Sequence, residues 1–160
     1  MPSEKGGRAP EFGLDSTLGR KIRLKDYRGD RWVVLYFYPR DNTSGCTAEA
    51  CDFRDQWVEF DRVGATVLGV SPDSIASHQA FAERHQLPFP LLSDPDKTAL
   101  QAYGVWKEKS LYGRKFMGVE RSTFLISPEG KIVQAWRKVK VPGHVAAVLK
   151  TLNELRSSKA

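Results

Sequence analysis

Trp32-Val-Val-Leu-Tyr-Phe-Tyr38 runs directly into Pro39-Arg-Asp-Asn-Thr-Ser-Gly-Cys46-Thr-Ala-Glu-Ala-Cys51. The apolar run is far shorter than the roughly 20 residues of a membrane span. Its continuous apolar character suits a central strand covered on both faces. Pro39 offers no ladder donor and closes that strand. Thr43 and Ser44 are both good N-cap residues, and either one places Cys46 in the first turn of a helix. A helix N-terminus presents unpaired N–H groups and the positive end of a dipole, which favours the thiolate form of a thiol placed there. Gly45 leaves room for close approach to the backbone.

Both cysteines of the chain lie in this stretch. On one intact helix, a separation of five residues is about 7.5 Å of rise and about 140° of rotation. That exceeds the roughly 7 Å Cα separation a disulfide tolerates. The two thiols can bond only if the first helical turns unwind. The spacing therefore suggests a thiol that reacts first and a second that meets it after a conformational change.

Working outward, residues 10–18 read as an extended segment with a turn at Gly19, and 21–24 alternate as a short strand. Residues 46–62 read as one long helix with a core-facing stripe of Cys46, Ala50, Phe53, Trp57 and Phe60. Residues 65–70 form a second buried strand, 75–86 a helix, 87–92 an extended segment, and 94–103 a short helix. Residues 105–116 are polar and mixed and read as loop with room for an edge strand. Residues 117–126 read as a strand, 127–130 as a hairpin turn, 131–137 as its partner, and 142–155 as a closing helix. Strands linked by helices imply parallel crossovers, and the hairpin adds antiparallel strands. The expected fold is α/β and thioredoxin-like, a mixed central sheet with helices on both faces. A chain of 160 residues fits one domain, 1–160, with loose tails at about 1–8 and 156–160.

The composition, 41% hydrophobic and 28% charged, is that of an ordinary globular protein. The polar N-terminus has no signal-peptide core, so a cytoplasmic location is expected. Two cysteines without a secretory signal argue against a disulfide framework. The net charge of +6 is dispersed and accompanies no groove-reading or RNA-binding pattern. Nucleic acid and membrane are therefore not expected partners. The basic surface suits an acidic protein partner.

The pattern P-x-x-x-T-x-x-C, here Pro39, Thr43 and Cys46, resembles the active-site signature of the peroxiredoxins. Cys51, five residues on, is similar to the arrangement in the bacterioferritin comigratory protein or peroxiredoxin Q subfamily. Gly69-Val-Ser-Pro-Asp-Ser, Leu87-Pro-Phe-Pro-Leu-Leu-Ser-Asp94, Tyr103-Gly-Val-Trp and Arg121-Ser-Thr-Phe-Leu-Ile resemble the same subfamily. The match runs from about residue 8 to residue 155.

The resemblance implies a thioredoxin-dependent thiol peroxidase of the atypical two-cysteine kind. It makes Cys46 the peroxidatic cysteine, oxidised by a hydroperoxide to a sulfenic acid. Cys51 resolves it as an intramolecular disulfide, and thioredoxin or a similar dithiol donor reduces that bond. Thr43 hydrogen-bonds thiolate and peroxide, Arg121 neutralises charge on sulfur and oxygen, and Pro39 shields the thiolate from water. Glu49, one turn after Cys46, orients Arg121. The family needs neither metal nor organic cofactor, and a monomer is expected. Sensitive relatives carry a Gly-Gly-Leu-Gly loop and a C-terminal Tyr-Phe helix. Neither stands here, so over-oxidation is expected only at high peroxide.

Plain alternatives stand beside these roles. Cys46 and Cys51 read as buried inert thiols, Thr43 as a cap alone, Arg121 as a strand residue in a surface salt bridge, and Glu49 as a solvated first-turn carboxylate. His78, His85 and His144 read as non-catalytic. Trp106, in a polar stretch, is a candidate for a pocket entrance or a partner surface. Two other functions compete. A thioredoxin-type dithiol carrier needs C-x-x-C rather than this spacing. A metal-binding module fits C-x4-C but lacks an adjacent second ligand pair.

Overall fold

The structure, a computed structural model, describes residues 5–158. Strand β1 (Gly13–Ser16) and strand β2 (Lys21–Arg23) pair antiparallel and lead into a 3-10 turn at Leu24–Tyr27. Strand β3 (Trp32–Phe37) is buried at every position, as its unbroken apolar run requires. Helices α1 (Ser44–Asp55) and α2 (Trp57–Arg62) follow, then β4 (Ala65–Ser71), α3 (Ile75–His85), β5 (Leu91–Ser93) and α4 (Thr98–Ala102). The chain continues through β6 (Trp106–Leu111), β7 (Arg114–Val119), β8 (Ser122–Ile126), β9 (Ile132–Trp136) and α5 (His144–Ser158).

Seven strands form one mixed sheet in the order β2-β1-β5-β4-β3-β8-β9. β3, β4 and β5 run parallel, as helical crossovers demand, while β1 and β8 flank them antiparallel. Alternation along β3 divides the core. Val33, Leu35 and Phe37 join Ala99 and Leu100 of α4 on one face. Trp32, Val34, Tyr36 and Tyr38 join Cys46, Ala50 and Phe53 of α1, Phe60 of α2, Phe81 of α3 and Val148 of α5 on the other. Each fully buried Phe or Leu in these layers contributes about 1.5–3 kcal/mol relative to exposure. The thioredoxin-like expectation therefore holds, and the reactive stretch leaves the sheet at its centre.

Several boundaries differ from expectation. The helix expected over 46–62 breaks at Gln56, whose N–H is shared between the Asp52 and Phe53 carbonyls (3.3 and 3.2 Å) and whose φ, ψ are −104°, 7°. No Gly or Pro marks that break. The stripe residue Trp57 is only half-buried, whereas Phe60 is fully buried. The helix expected over 94–103 shortens to α4, because the Asp94 carboxylate takes the Thr98 and Leu100 N–H groups and holds the chain before them out of the helix.

Residues 105–116, read as loop with room for an edge strand, supply most of a separate antiparallel hairpin, β6–β7. Its turn places Tyr112 and Gly113 both at positive φ (51° and 77°), the geometry of a tight two-residue hairpin loop. Most of its residues are exposed on both faces, so no buried-face alternation announces the strands. The strand expected over 117–126 is in fact the end of β7 and the whole of β8, parted at Glu120 and Arg121. Residues 6–8, expected in a loose tail, are tied to the fold. Gly6 N–H donates to the Ile132 carbonyl, Ile132 N–H to Gly7, and Arg8 bridges Lys131. At the other end, 156–158 continue α5, and 1–4 and 159–160 lie outside the described residues.

Candidate active site

Cys46 is the third residue of α1, with Thr43 as the N-cap in extended conformation (φ −81°, ψ 155°). The residue is 1% exposed and belongs to the same buried cluster as Tyr36, Tyr38 and Phe53. The cation facing it comes from the break between β7 and β8. There Glu120 N–H donates to the Val105 carbonyl at 2.7 Å, and the Arg121 carbonyl accepts from Val139 N–H at 2.9 Å. With its backbone held outside the sheet ladder, Arg121 reaches across to α1. Its Nη2 lies 3.3 Å from Cys46 Sγ, and its Nη1 donates to Glu49 Oε1 at 2.7 Å.

Gly45 makes this possible. A Cβ at that position would stand 3.2 Å from Arg121 Nη2. The close approach expected at Gly45 is thus made by the arginine. Glu49 follows Cys46 by three residues, so both side chains share one helical face. The reading of Glu49 as a solvated carboxylate is overturned, because it is fully buried. The surface salt bridge considered for Arg121 is likewise an inward pair, and Arg121 lies between strands rather than within one.

Electrostatics follow from this burial. Desolvation pushes the Glu49 carboxyl up to about 7, against the opposing pull of the Arg121 charge. Its Oε2 has no hydrogen-bond partner in the structure. For Arg121, burial works against the charge, but Glu49 and Cys46 outweigh it and the group is held still more firmly as a cation. Behind it, His144 Nε2 stands 2.8 Å from Thr123 Oγ1. Burial, and then the nearby Arg121 charge, depress His144 to about 4, so the ring is neutral.

The other expected residues are placed as follows. Thr43 Oγ1 donates to the Arg40 carbonyl at 2.9 Å and is not engaged with the sulfur. Pro39 is half-buried at the start of the loop that ends at Thr43. Cys51 lies on α1 with Cys46, half-buried, and both thiols are free. Its sulfur faces His85 Nδ1 of α3 at 4.0 Å. Trp106 packs against the core with the Lys97 ammonium 5.5 Å above its ring, which gives it a structural place. An open groove of about 560 Å³ is lined by Arg121, Glu120, Lys107, Lys109 and Lys138. Among the described residues, no three His, Cys, Asp or Glu side chains come together as a metal site, and no helix is long and apolar enough to cross a membrane.

Sequence reasoning passed over Asp41 and read His78 only as non-catalytic. They form a buried pair at 2.7 Å beside the cysteine loop. The one available signal was an aspartate between Pro39 and Thr43 in a loop otherwise short of anchors. Nothing in the sequence placed it against a histidine 37 residues away.

A buried thiol with a guanidinium 3.3 Å from sulfur, at a helix N-terminus, is built to hold negative charge on that sulfur and on an atom bonding to it. The model of the AhpC/TSA family matches residues 6–135. Peroxiredoxin Bcp of Bacillus subtilis is 49% identical over 155 residues, covering 97% of this chain and 98% of that protein. Peroxiredoxin Bcp of Xanthomonas campestris is 52% identical over 146 residues, covering 90% and 91%. A solved structure of Xanthomonas campestris Peroxiredoxin Q superposes with a TM-score of 0.87 at 49% identity, over 91% of each chain. A second, of the Xanthomonas campestris Bacterioferritin Comigratory Protein in a study of its alkyl peroxide reduction, has a TM-score of 0.87 at 48% identity, over 91% of this chain and 92% of that one.

Proposed function

The chain belongs to the AhpC/TSA family and is a thiol peroxidase, and from that premise we propose that Cys46 is its peroxidatic residue and Cys51 its resolving one. The observation that carries this reading is the fork of Arg121, one arm on Cys46 Sγ and the other on Glu49. The Cys46 thiolate attacks the distal oxygen of a hydroperoxide. The S–O bond forms as the O–O bond breaks, and the leaving oxygen takes a proton to give alcohol or water. Arg121 stands where charge passes from sulfur to oxygen, so it stabilises the transition state more than either end state.

Thr43 contributes when its hydroxyl gives up the Arg40 carbonyl and turns to the peroxide. Bonds of this kind are often unmade in a resting site. Pro39 keeps water from the thiolate. Glu49 holds the guanidinium plane. The groove beside Arg121 is the approach for the hydroperoxide, hydrogen peroxide or an organic species.

The Cys46 sulfenic acid and the Cys51 thiol then condense to a disulfide with loss of water. Because both residues lie on α1, this requires its first turns to unwind. Thioredoxin or a similar dithiol donor reduces the disulfide by exchange. The same reading makes the protein a cytoplasmic monomer, eluting near 18.0 kDa in gel filtration.

The test is one equivalent of hydrogen peroxide on reduced protein, followed by intact mass and free-thiol count. Wild type loses two hydrogens, Cys51→Ser gains one oxygen, and Cys46→Ser shows no fast reaction. Peroxide consumption by Cys46→Ser at the wild-type rate would overturn the assignment.

A further inference from the structure

The 39–43 loop carries the proline and threonine of the site, yet among the described residues its hydrogen bonds to elements other than α1 run through one residue, Asp41. Its N–H donates to Asp73 Oδ2 at 2.7 Å. Its Oδ1 accepts from the Tyr38 hydroxyl at 2.6 Å. Its Oδ2 accepts from Ser77 Oγ at 2.8 Å and from His78 Nδ1 at 2.7 Å. Pro39 and Asn42 make no such outward bond, and the Arg40 carbonyl is occupied locally by Thr43.

His78 fixes the other end. Its ring is fully buried on α3, and Nε2 lies 2.9 Å from the Leu92 carbonyl of β5. Each ring nitrogen thus faces an oxygen, Asp41 Oδ2 on one side and the Leu92 carbonyl on the other. Burial alone would raise the Asp41 carboxyl, but the bonds from His78, Tyr38 and Ser77 outweigh it and keep the group ionised. Removing one member of this buried, hydrogen-bonded pair leaves the other without its partner, which is strongly destabilising. The loop is therefore clamped to α3 and β5, two elements outside the segment that carries the cysteines.

We propose that Asp41 and His78 are positioning residues of the peroxidase: their pair clamps the 39–43 loop while Cys46 attacks peroxide, and it stays closed as the fixed end from which α1 unwinds afterwards. The inference rests on the two-cysteine reading above. It gives the pair a stepwise signature. Attack needs Pro39, Thr43 and the start of α1 in one geometry, so it is sensitive to the clamp. Disulfide closure needs the first turns of α1 to leave that geometry, so it is not slowed by losing the clamp.

The experiment is stopped-flow oxidation by hydrogen peroxide of Asp41→Asn, His78→Phe and His78→Asn, at matched circular dichroism. Each is made in the Cys51→Ser background for the attack step and in the two-cysteine chain for closure. We expect Asp41→Asn and His78→Phe to slow attack by about tenfold or more, with closure unchanged or faster. His78→Asn, which retains a donor toward Asp41, recovers part of the attack rate. Attack within about twofold of the parent, or equal loss in both steps, overturns the inference. In ¹⁵N-histidine spectra, the His78 ring resonances are the same in the reduced and disulfide forms, and a change on disulfide formation overturns the fixed-end role. If the Cys51→Ser parent shows no fast oxidation, the two-cysteine reading itself falls, and the inference with it. Fast parental oxidation with unaffected variants sinks the clamp alone.

Discussion

Arg121 lies across the first turn of α1 in the space that Gly45 leaves, its Nη2 3.2 Å from where a Cβ on Gly45 would stand. The guanidinium cannot withdraw freely, because its two arms are committed to Cys46 and Glu49. Gly45→Ala therefore displaces Arg121 by a few tenths of an ångström. We expect the second-order rate with peroxide to fall by about five- to tenfold, near 1–1.4 kcal/mol of transition-state stabilisation. Thermal stability should hold or rise, since alanine is favoured over glycine in a helix by up to about 1 kcal/mol. Peroxide kinetics beside a melting curve separate the two, and loss of stability with full activity would refute the steric argument.

Glu49 gives the reaction a pH dependence of its own. Burial holds its carboxyl at about 7, so it takes a proton as pH falls through that value. The charge that orients Arg121 is then lost, and peroxide reactivity should decline on the acid side of about 7. Glu49→Gln should lower the neutral-pH rate and remove that inflection. Thiolate absorbance, followed in parallel, reports the titration of Cys46 separately. An inflection unchanged in Glu49→Gln would show that it arises elsewhere.

The fold's stability should carry two opposed pH terms. Glu49 is raised from its ordinary 4.5, so its contribution is fully present below 4.5 and lost as pH rises through about 7. His144 is depressed from its ordinary 6.5, so its contribution is present above 6.5 and lost as pH falls toward about 4. Between pH 7 and 5, acidification therefore strengthens the fold through Glu49 and weakens it through His144. His144→Asn should make the melting temperature fall less, or rise, over that interval, and Glu49→Gln should make it fall more. Parallel behaviour of the two variants would contradict these signs.

The sheet and its reactive loop were legible because their signals are local. An unbroken apolar strand, a proline stop, N-cap residues and glycine all act within a few positions of Cys46. Legibility failed where the cause is distant or two-sided. The β6–β7 hairpin shows no alternation, because both its faces meet solvent. The parting of β7 from β8 depends on bonds to Val105 and Val139, which no local pattern announces. Glu49 looked equally suited to water or to Arg121, and only burial decides between them. The pairing of Asp41 with His78 was silent for the same reason, since it exists only once α3 lies beside the loop.

The break at Gln56 limits how far α1 can unwind. α1 ends at Asp55, and α2 begins anew at Trp57, with Phe60 fully buried beneath it. On the proposed two-cysteine reading, disulfide formation pulls Cys46 and Cys51 together, which dissolves the hydrogen bonds of the first turns. The strain need not travel through Gln56, whose N–H is already shared in poorer geometry between two carbonyls. Hydrogen exchange should therefore rise strongly across 44–51 when the protein is oxidised by one equivalent of peroxide. Residues 57–62 should keep the protection they have in the reduced form. Cys51→Ser, which can reach the sulfenic acid but not the disulfide, should leave both segments protected. Equal loss of protection across 44–62 would mean that the two helices melt as one unit and that the break is no barrier. Unchanged protection across 44–51 in the disulfide form would mean that the sulfurs meet without unwinding, against the geometry of a five-residue separation on one helix.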